Sequence, residues 1–264
     1  MGEGKPTLLE LGHHRSLQAT TDLSFHGLPS ENPETNRKFP GFEVDGVHPQ
    51  RKWVRDIQEY SKEWEKLREN GFTVAHLAPS EGIFRGSGPC VLLSDNQTNQ
   101  RILKNEVAQV VAFDPVGKKR SPSIYPNSLM GVIAVIRQTF LETQYSLDRM
   151  RVEEINPSTS PSTMHEGIDS LLRSLQPNPT LPLWMEPGSC LMMGKAIELG
   201  QEFDLSPPVL IATGQEWRRP DLSLSSEHHY VLPLVFPAPA KLPNQEDWDQ
   251  VSLDQLRSWD LAAS

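Results

Sequence analysis

The residues best suited to chemistry in this sequence are charged side chains that follow short apolar segments. Glu186 ends the apolar segment Leu183–Glu186, and a carboxylate in such a place can act as a general base if burial raises its pKa. The same carboxylate could instead interact with the N-terminus of the helix that begins after Ser189, because helix N-termini favour negative charge. The sequence leaves both roles open.

A second group of charged residues lies in the segment Pro79–Pro89, which we predict to be a loop between the strands Phe72–Ala78 and Cys90–Ser94. This loop contains Glu81, Arg85 and three glycines, and glycines allow a backbone to approach a ligand closely. It lacks the Gly-Lys-Ser/Thr ending of a P-loop and the dinucleotide-binding fingerprint. Two interpretations remain open, a tight structural connection and a loop whose Glu81 and Arg85 bind a substrate.

The histidines and cysteines give no metal-binding pattern. Neither His-x-His nor His-Glu-x-x-His occurs in the chain, although these are the spacings that place two imidazoles on one ion. The adjacent His13 and His14 would point to opposite faces of a strand. Cys90 and Cys190 are far apart in sequence and have apolar neighbours, which favours buried, unreactive thiols over a disulfide or a nucleophile.

The elements that would position these residues alternate between strand and helix. Strands are predicted at Leu183–Glu186, Pro208–Thr213 and Tyr230–Phe236, separated by a helix capped by Ser189 and a weaker helix at Glu216–Leu224. This alternation predicts parallel strands with crossover helices, and therefore an α/β sheet or barrel. Ligands gather at the carboxyl ends of such strands. The candidate segments are therefore His76 to Arg85, Glu186 to Ser189, Thr213 to Glu216, and the loop after Phe236.

Upstream of these elements, the pattern divides the chain near residue 50. Residues 1–50 are rich in proline and poorly patterned, with one short strand predicted at Thr7–Leu11. Residues 51–264 carry the regular pattern, which includes a helix ended by Asn70-Gly71 and a long helix capped by Asn127 or Ser128. A further helix opens with the capping box Thr163-x-x-Glu166. The apolar stripe of the first helix is Trp53, Ile57, Tyr60, Trp64 and Leu67.

Composition excludes several kinds of partner. The net charge is −9 and the pI is about 5.4, whereas nucleic-acid binding requires a concentrated basic face. No apolar run reaches the roughly 18 residues of a membrane span, and the N-terminus lacks the features of a signal peptide. We therefore expect a soluble protein with a small-molecule substrate or ligand, and the cytoplasm as its default compartment.

Several separated blocks of the sequence resemble, in order, the imidazolonepropionase-like branch of the amidohydrolase superfamily. The resemblance runs from about Gly71 to the C-terminus. Its blocks are GFTVAHLAPSEGIFRGSGPCVLL, YPNSLMGVIAVIRQTF, AIELGQEFDL, YVLPLVFP and VSLDQLRSWDLA.

The resemblance implies a TIM-type (β/α)8 barrel, usually beside a small β-sandwich, that hydrolyses cyclic amides or related C–N bonds. Catalysis in the superfamily uses one or two divalent metals, typically zinc, which generate hydroxide from water. Its metal ligands are a His-x-His pair, a lysine or glutamate, two later histidines and a final aspartate, each at a strand end.

Most of this ligand set is missing here. Glu186-Pro187-Gly188 and Thr213 stand at strand ends where the family offers histidine, and the chain stops after Leu261, before the strand that carries the aspartate. Fewer than three protein donors do not hold zinc. We therefore expect a partial or degenerate barrel of the amidohydrolase type without matched metal ligands.

Two functions follow from these patterns. The first is a hydrolase acting on C–N bonds, with Glu186 as the catalytic carboxylate and Glu81 and Arg85 binding the substrate. The second is a non-catalytic barrel that holds a ligand or a partner. A barrel without its last strands exposes unpaired sheet edges, so an oligomer, or the missing remainder of the barrel, is expected to cover them.

Overall fold

The computed structural model describes residues 20–25, 42, 44, 46–57, 61–69, 71–77, 82–94, 98–114, 125–156, 166–176, 179–223, 228–232 and 252–253. Its strands are β1 (Thr20–Phe25), β2 (Phe72–Leu77), β3 (Phe84–Ser87), β4 (Cys90–Leu92), β5 (Ile102–Lys104), β6 (Gln109–Ala112), β7 (Leu183–Glu186), β8 (Val209–Ile211) and β9 (His229–Val231). Its helices are α1 (Ser61–Glu69), α2 (Thr98–Arg101), α3 (Leu129–Ile155), α4 (Glu166–Leu175), α5 (Cys190–Glu202) and α6 (Pro220–Ser223), with 3₁₀ turns at Trp53–Asp56 and Glu216–Arg218.

The larger sheet has five strands in the order β3-β6-β7-β8-β9. Strands β6 to β9 are parallel neighbours that follow chain order, and β3 is antiparallel to β6. Helices connect the successive parallel strands, which is the winding of a (β/α)8 barrel. The described strands do not close into a barrel. The predicted α/β class is therefore confirmed, whereas the barrel remains a prediction.

One face of this sheet packs against helices. Val111, Met185 and Leu210 stand side by side in register on neighbouring strands and are fully buried in the main core. The helix side of this core includes Val132, Ile136 and Phe140 of α3 and Met193, Ala196 and Leu199 of α5. The ring of Phe140 contacts Phe84 of β3 edge-on, with 5.7 Å between the ring centroids. Burial of this apolar surface holds the helices against the sheet.

The opposite face of the sheet carries the alternate residues of the same strands, because side chains alternate along a strand. Ala108, Trp184 and Ile211 form a second buried cluster there. His76 of β2 packs edge-on against Trp184 at 4.8 Å and is 1% exposed. The polar residues of this face, Arg85 and Glu186 among them, lie beyond this cluster toward the carboxyl ends of β6 and β7.

The smaller sheet has the strand order β1-β2-β4-β5. Strand β1 is parallel to β2, and the other pairs are antiparallel. Its core contains Trp53, Trp64, Ala75, Leu77, Val91 and Leu93. The chain passes from β3 of the larger sheet to β4 of the smaller one through Gly88 and Pro89. The Val107 N–H donates to the Gly88 carbonyl, which extends the ladder between β3 and β6, and the Leu77 N–H donates to the Pro89 carbonyl, which extends the ladder between β2 and β4.

Three predicted helix ends are confirmed, but the predicted start of the first helix is wrong, because Trp53–Asp56 is a 3₁₀ turn and α1 begins at Ser61. The Ser128 hydroxyl accepts a hydrogen bond from the Gly131 N–H at 3.2 Å and caps α3, and Ser189 caps α5 in the same way through Met192. Gly71 ends α1 in a left-handed conformation with φ +88°. Within the described segments, no helix combines the length and apolar character that crossing a membrane requires.

Several elements differ from the prediction. The segment Pro79–Pro89, predicted as a loop, contains strand β3, because its residues 84–87 pair with β6. Strands β1 and β5 are additional to the predicted ones. The predicted strand Thr7–Leu11 and the capping residue Thr163 lie outside the described residues. Val47 is fully buried in the main core, while the proposed division of the chain near residue 50 remains a prediction.

A polar cluster closes the amino end of β6. Glu106 accepts hydrogen bonds from Lys52 at 3.2 Å, Ser87 at 2.9 Å and Arg173 at 3.1 Å. Burial opposes ionisation of the Glu106 carboxyl, but these three donors outweigh it together, so its pKa lies below the ordinary value. The cluster ties the chain before β3, strand β3 itself and helix α4 to the start of β6.

We expect Glu106→Gln to destabilise the protein by about 1–3 kcal/mol at neutral pH, because hydrogen bonds to an ionised group are lost in a partly buried place. Since the folded pKa is lowered, the contribution is complete above the ordinary value of 4.5 and disappears as the pH falls through the folded value. Urea denaturation across this pH range measures the difference. Asp148→Asn, which breaks an exposed ion pair with Arg151, is the control and should change stability by less than about 0.5 kcal/mol. A loss for Glu106→Gln that does not depend on pH would contradict the assignment.

Gly88 lies where the two sheets meet. A Cβ atom at this position would be 2.1 Å from the Leu77 carbonyl oxygen and 2.8 Å from His76 Nε2. The first contact is with the backbone of β2, which cannot move away without disturbing the hydrogen-bonded ladder between β2 and β4. Only glycine therefore fits here.

We expect Gly88→Ala to cost about 3 kcal/mol or more, because overpacking against backbone forces the strands apart. Gly188→Ala is the matched control. Gly188 has φ +72°, and a Cβ atom there would meet nothing within 4 Å, so only backbone strain of about 1–2 kcal/mol is expected. Equal losses for the two variants in urea denaturation would show that the close approach at Gly88 is unimportant.

Candidate functional site

A cavity of about 420 Å³ opens at the carboxyl ends of β6 and β7. The residues that follow these strands line it together with the N-terminal turns of α3 and α5. Its lining includes the carboxylates of Asp114 and Glu186, the Ser189 hydroxyl, and the apolar side chains of Leu129 and Met192. Parallel α/β sheets bind ligands at this end of their strands, so the cavity is the candidate functional site.

An ion pair at the cavity joins Arg85 to Glu186. The Arg85 guanidinium donates from NH1 to Glu186 Oε2 at 2.6 Å. The Arg85 side chain is 3% exposed, whereas that of Glu186 is 26% exposed and lines the cavity. The structure therefore brings together two of the residues singled out in the sequence, with the carboxylate in front and the guanidinium behind it.

The position of Arg85 is fixed by the elements around it. Its Nε donates to the Gly82 carbonyl at 3.0 Å, and its own carbonyl accepts a hydrogen bond from the Trp53 indole at 2.7 Å. The preceding residue, Phe84, is buried in the main core, so the alternation of strand β3 directs Arg85 to the opposite face. Gly86 follows with φ +83°, and a Cβ there would be 2.2 Å from the Arg51 carbonyl.

Asp114 is a site residue that the sequence patterns did not single out. Its carboxylate lies 3.8 Å from Arg85 NH2 and is 67% exposed. Asp114 follows β6 just as the residues after Glu186 follow β7, which is the signal that could have identified it. The guanidinium thus faces two carboxylates from neighbouring strands.

Glu186 has two possible roles, as a general base and as a negative charge at the N-terminus of α5. The hydrogen bond that caps α5 comes from the Ser189 hydroxyl, which accepts from the Met192 N–H at 3.3 Å. The Glu186 carboxylate is bound by Arg85 instead. Whether Glu186 is catalytic remains a prediction.

Of the other candidate segments, the structure describes Thr213 to Glu216. Thr213 donates from its backbone N–H at 2.6 Å and its hydroxyl at 3.0 Å to the Glu216 carboxylate, so this pair forms a closed turn after β8. Glu81 and the loop after Phe236 lie outside the described residues. Substrate binding by Glu81 and Arg85 remains a prediction.

The cysteines are separate thiols in the structure. Burial raises the pKa of the Cys90 thiol, although nearby Lys104 opposes this effect. A thiol with a raised pKa is a poor nucleophile at neutral pH because little thiolate is present.

The donor set does not fit the zinc centre that the family resemblance implies. In the part of the chain that the structure describes, no three side chains of His, Cys, Asp or Glu are grouped so that they could hold a metal ion. Of the two carboxylates at the cavity, Glu186 is bound by a guanidinium. The imidazole of His76 packs against Trp184, below the cavity.

Comparisons with known proteins agree with the fold. No protein-family model and no curated protein matches the sequence. Among solved structures, the chain is similar to an amidohydrolase from Thermotoga maritima MSB8, with a TM-score of 0.67 and 16% sequence identity over 92% of this chain and 62% of that one. The chain therefore spans less than two thirds of the length of that protein.

At this level of identity the similarity establishes the fold alone, which the chain shares with that protein. The amidohydrolase superfamily that the sequence blocks resemble remains a prediction. The imidazolonepropionase-like branch is a finer assignment and remains a prediction.

Proposed function

We propose that this chain is a hydrolase of the amidohydrolase type that acts on a C–N bond of a cyclic amide or a related small molecule. The observation that carries the proposal is the Glu186 carboxylate, which lines the cavity at the end of a parallel strand and is held by a buried guanidinium. The fold shared with an amidohydrolase supports it.

We also propose that the five-stranded sheet is part of a (β/α)8 barrel of the imidazolonepropionase-like branch. The chain-order winding of β6 to β9 and the helices between them support the barrel. The sequence blocks that begin at Gly71 support the branch.

In the proposed reaction, Glu186 acts as the general base. Its Oε2 accepts a hydrogen bond from Arg85, so Oε1 takes a proton from a water molecule as the water oxygen attacks the substrate carbonyl carbon. The C–N bond then breaks, and the proton passes from Glu186 to the leaving nitrogen. A positioned general base contributes about 10²–10⁴ in rate.

Arg85 has a positioning role in this scheme. Its guanidinium is almost fully buried and lies behind Glu186, so it acts on the substrate through the orientation of that carboxylate. The apolar walls formed by Leu129 and Met192 would pack against the ring of a cyclic amide. Glu81 is proposed as a substrate contact because it lies in the glycine-rich segment Pro79–Pro89.

We expect Glu186→Gln to lower kcat by about 100-fold or more on a panel of lactams and hydantoins, because an amide cannot accept the proton. Initial rates on the purified chain measure the effect. The control is Glu202→Gln, which breaks the exposed pair between Glu202 and Arg137 outside the cavity and should leave kcat unchanged.

If Glu186→Gln and Glu202→Gln have equal kcat, Glu186 is not the general base. Binding of panel members without any turnover by the unsubstituted chain would contradict the hydrolase and indicate a ligand-binding protein.

A further inference from the structure

We propose that the guanidinium of Arg85 is the fixed cation of the cavity and takes the place of a metal ion. The proposal rests on the cavity being the functional site described above. It deepens that assignment, because it states which group supplies positive charge where the superfamily that the sequence resembles uses a divalent metal.

The contacts of Arg85 match those of a built-in cation. Its guanidinium binds the Glu186 carboxylate at 2.6 Å and lies 3.8 Å from the Asp114 carboxylate, so carboxylates at the ends of two adjacent parallel strands face it. The Gly82 carbonyl accepts a hydrogen bond from its Nε at 3.0 Å. A guanidinium is charged at every accessible pH and offers donors in a rigid plane.

Burial separates this ion pair from an exposed pair of the same type. The Arg85 side chain is 3% exposed, whereas Arg137 and Glu202, which link α3 and α5, are 42% and 41% exposed in their pair. Water and salt screen the electrostatic interactions of the exposed pair. They screen those of a buried guanidinium much less. Of these two pairs, that of Arg85 borders the cavity, through Glu186.

This arrangement opposes metal binding at the same carboxylates. A divalent cation would have to displace the guanidinium from Glu186, and it would then lie beside a buried positive charge that cannot be neutralised by loss of a proton. Removal of the guanidinium should therefore make binding of a divalent cation more favourable. Glu186 and Asp114 would then be two carboxylates without their shared cation, and oxygen donors of this type attract divalent ions.

The first experiment is calorimetric titration of the full chain with manganese(II) chloride after dialysis against a chelator, because carboxylate and water oxygens are suitable ligands for this ion. We expect no saturable binding at the site for the unsubstituted chain or for Arg137→Met, which removes the exposed guanidinium. Arg85→Met should bind one equivalent at least about tenfold more tightly than the detection limit that the other two chains set. One equivalent bound by the unsubstituted chain and lost in Glu186→Gln would overturn the proposal, and so would Arg85→Met binding no more tightly than Arg137→Met.

A second experiment does not depend on the folding of Arg85→Met. Glu186→Ala removes the nearer of the two carboxylates that face the guanidinium, and formate should bind in the space left by the side chain. We expect sodium formate to raise the Tm of Glu186→Ala by about 2–4 °C beyond sodium chloride of equal ionic strength. Glu202→Ala and the unsubstituted chain should show no such difference. A formate effect in Glu186→Ala no larger than in Glu202→Ala would contradict a cation fixed at the cavity.

Neither experiment uses turnover, so the two proposals can fail separately. If Glu186→Gln keeps its activity while the manganese and formate results hold, the hydrolase proposal fails and the assignment of the cation stands. If Glu186→Gln loses its activity while the unsubstituted chain binds manganese through Glu186, the hydrolase proposal stands and the guanidinium is not the cation of the site.

Discussion

The ion pair between Arg85 and Glu186 is the interaction on which the arrangement of the cavity depends. Removing a guanidinium from water costs several kcal/mol, and the cost is offset only when a carboxylate and further acceptors are held in good geometry. Here the acceptors are Glu186, 101 residues away in sequence, and the Gly82 carbonyl. The pair therefore requires that β3 and β7 flank β6 in fixed register.

This requirement explains the local sequence around Arg85. Phe84 anchors the strand in the main core through Phe140, while Gly86 allows the backbone to pass close to Arg51. The strand has only four residues, and its pairing with β6 includes an irregular step. Short, glycine-containing strands gain little from intrinsic propensity, so tertiary contacts fix the position of Arg85.

The limits of sequence prediction follow from the same physics. The predicted strand Leu183–Glu186 has its observed bounds, and Ser128 and Ser189 are caps as predicted, because apolar runs and capping residues are local signals. Strand β3 lies in a segment that was predicted to be a loop. The local sequence of residues 84–87 does not indicate a strand, because the strand forms through its pairing with β6. Arg85 and Glu186 are each candidates from sequence, but their contact depends on strand order and cannot be read from either segment. The sequence does not identify Asp114 as a site residue, because a single carboxylate after a strand is a common feature.

The hydrogen bond from the Trp53 indole to the Arg85 carbonyl has a consequence for how the molecule moves. Trp53 belongs to the core of the smaller sheet, whereas Arg85 belongs to the larger sheet and its cavity. A fluctuation that loosens the smaller sheet must therefore disturb the backbone that carries the guanidinium. This hydrogen bond couples the cavity to the smaller sheet, and substitutions in the core of that sheet can change the position of the guanidinium.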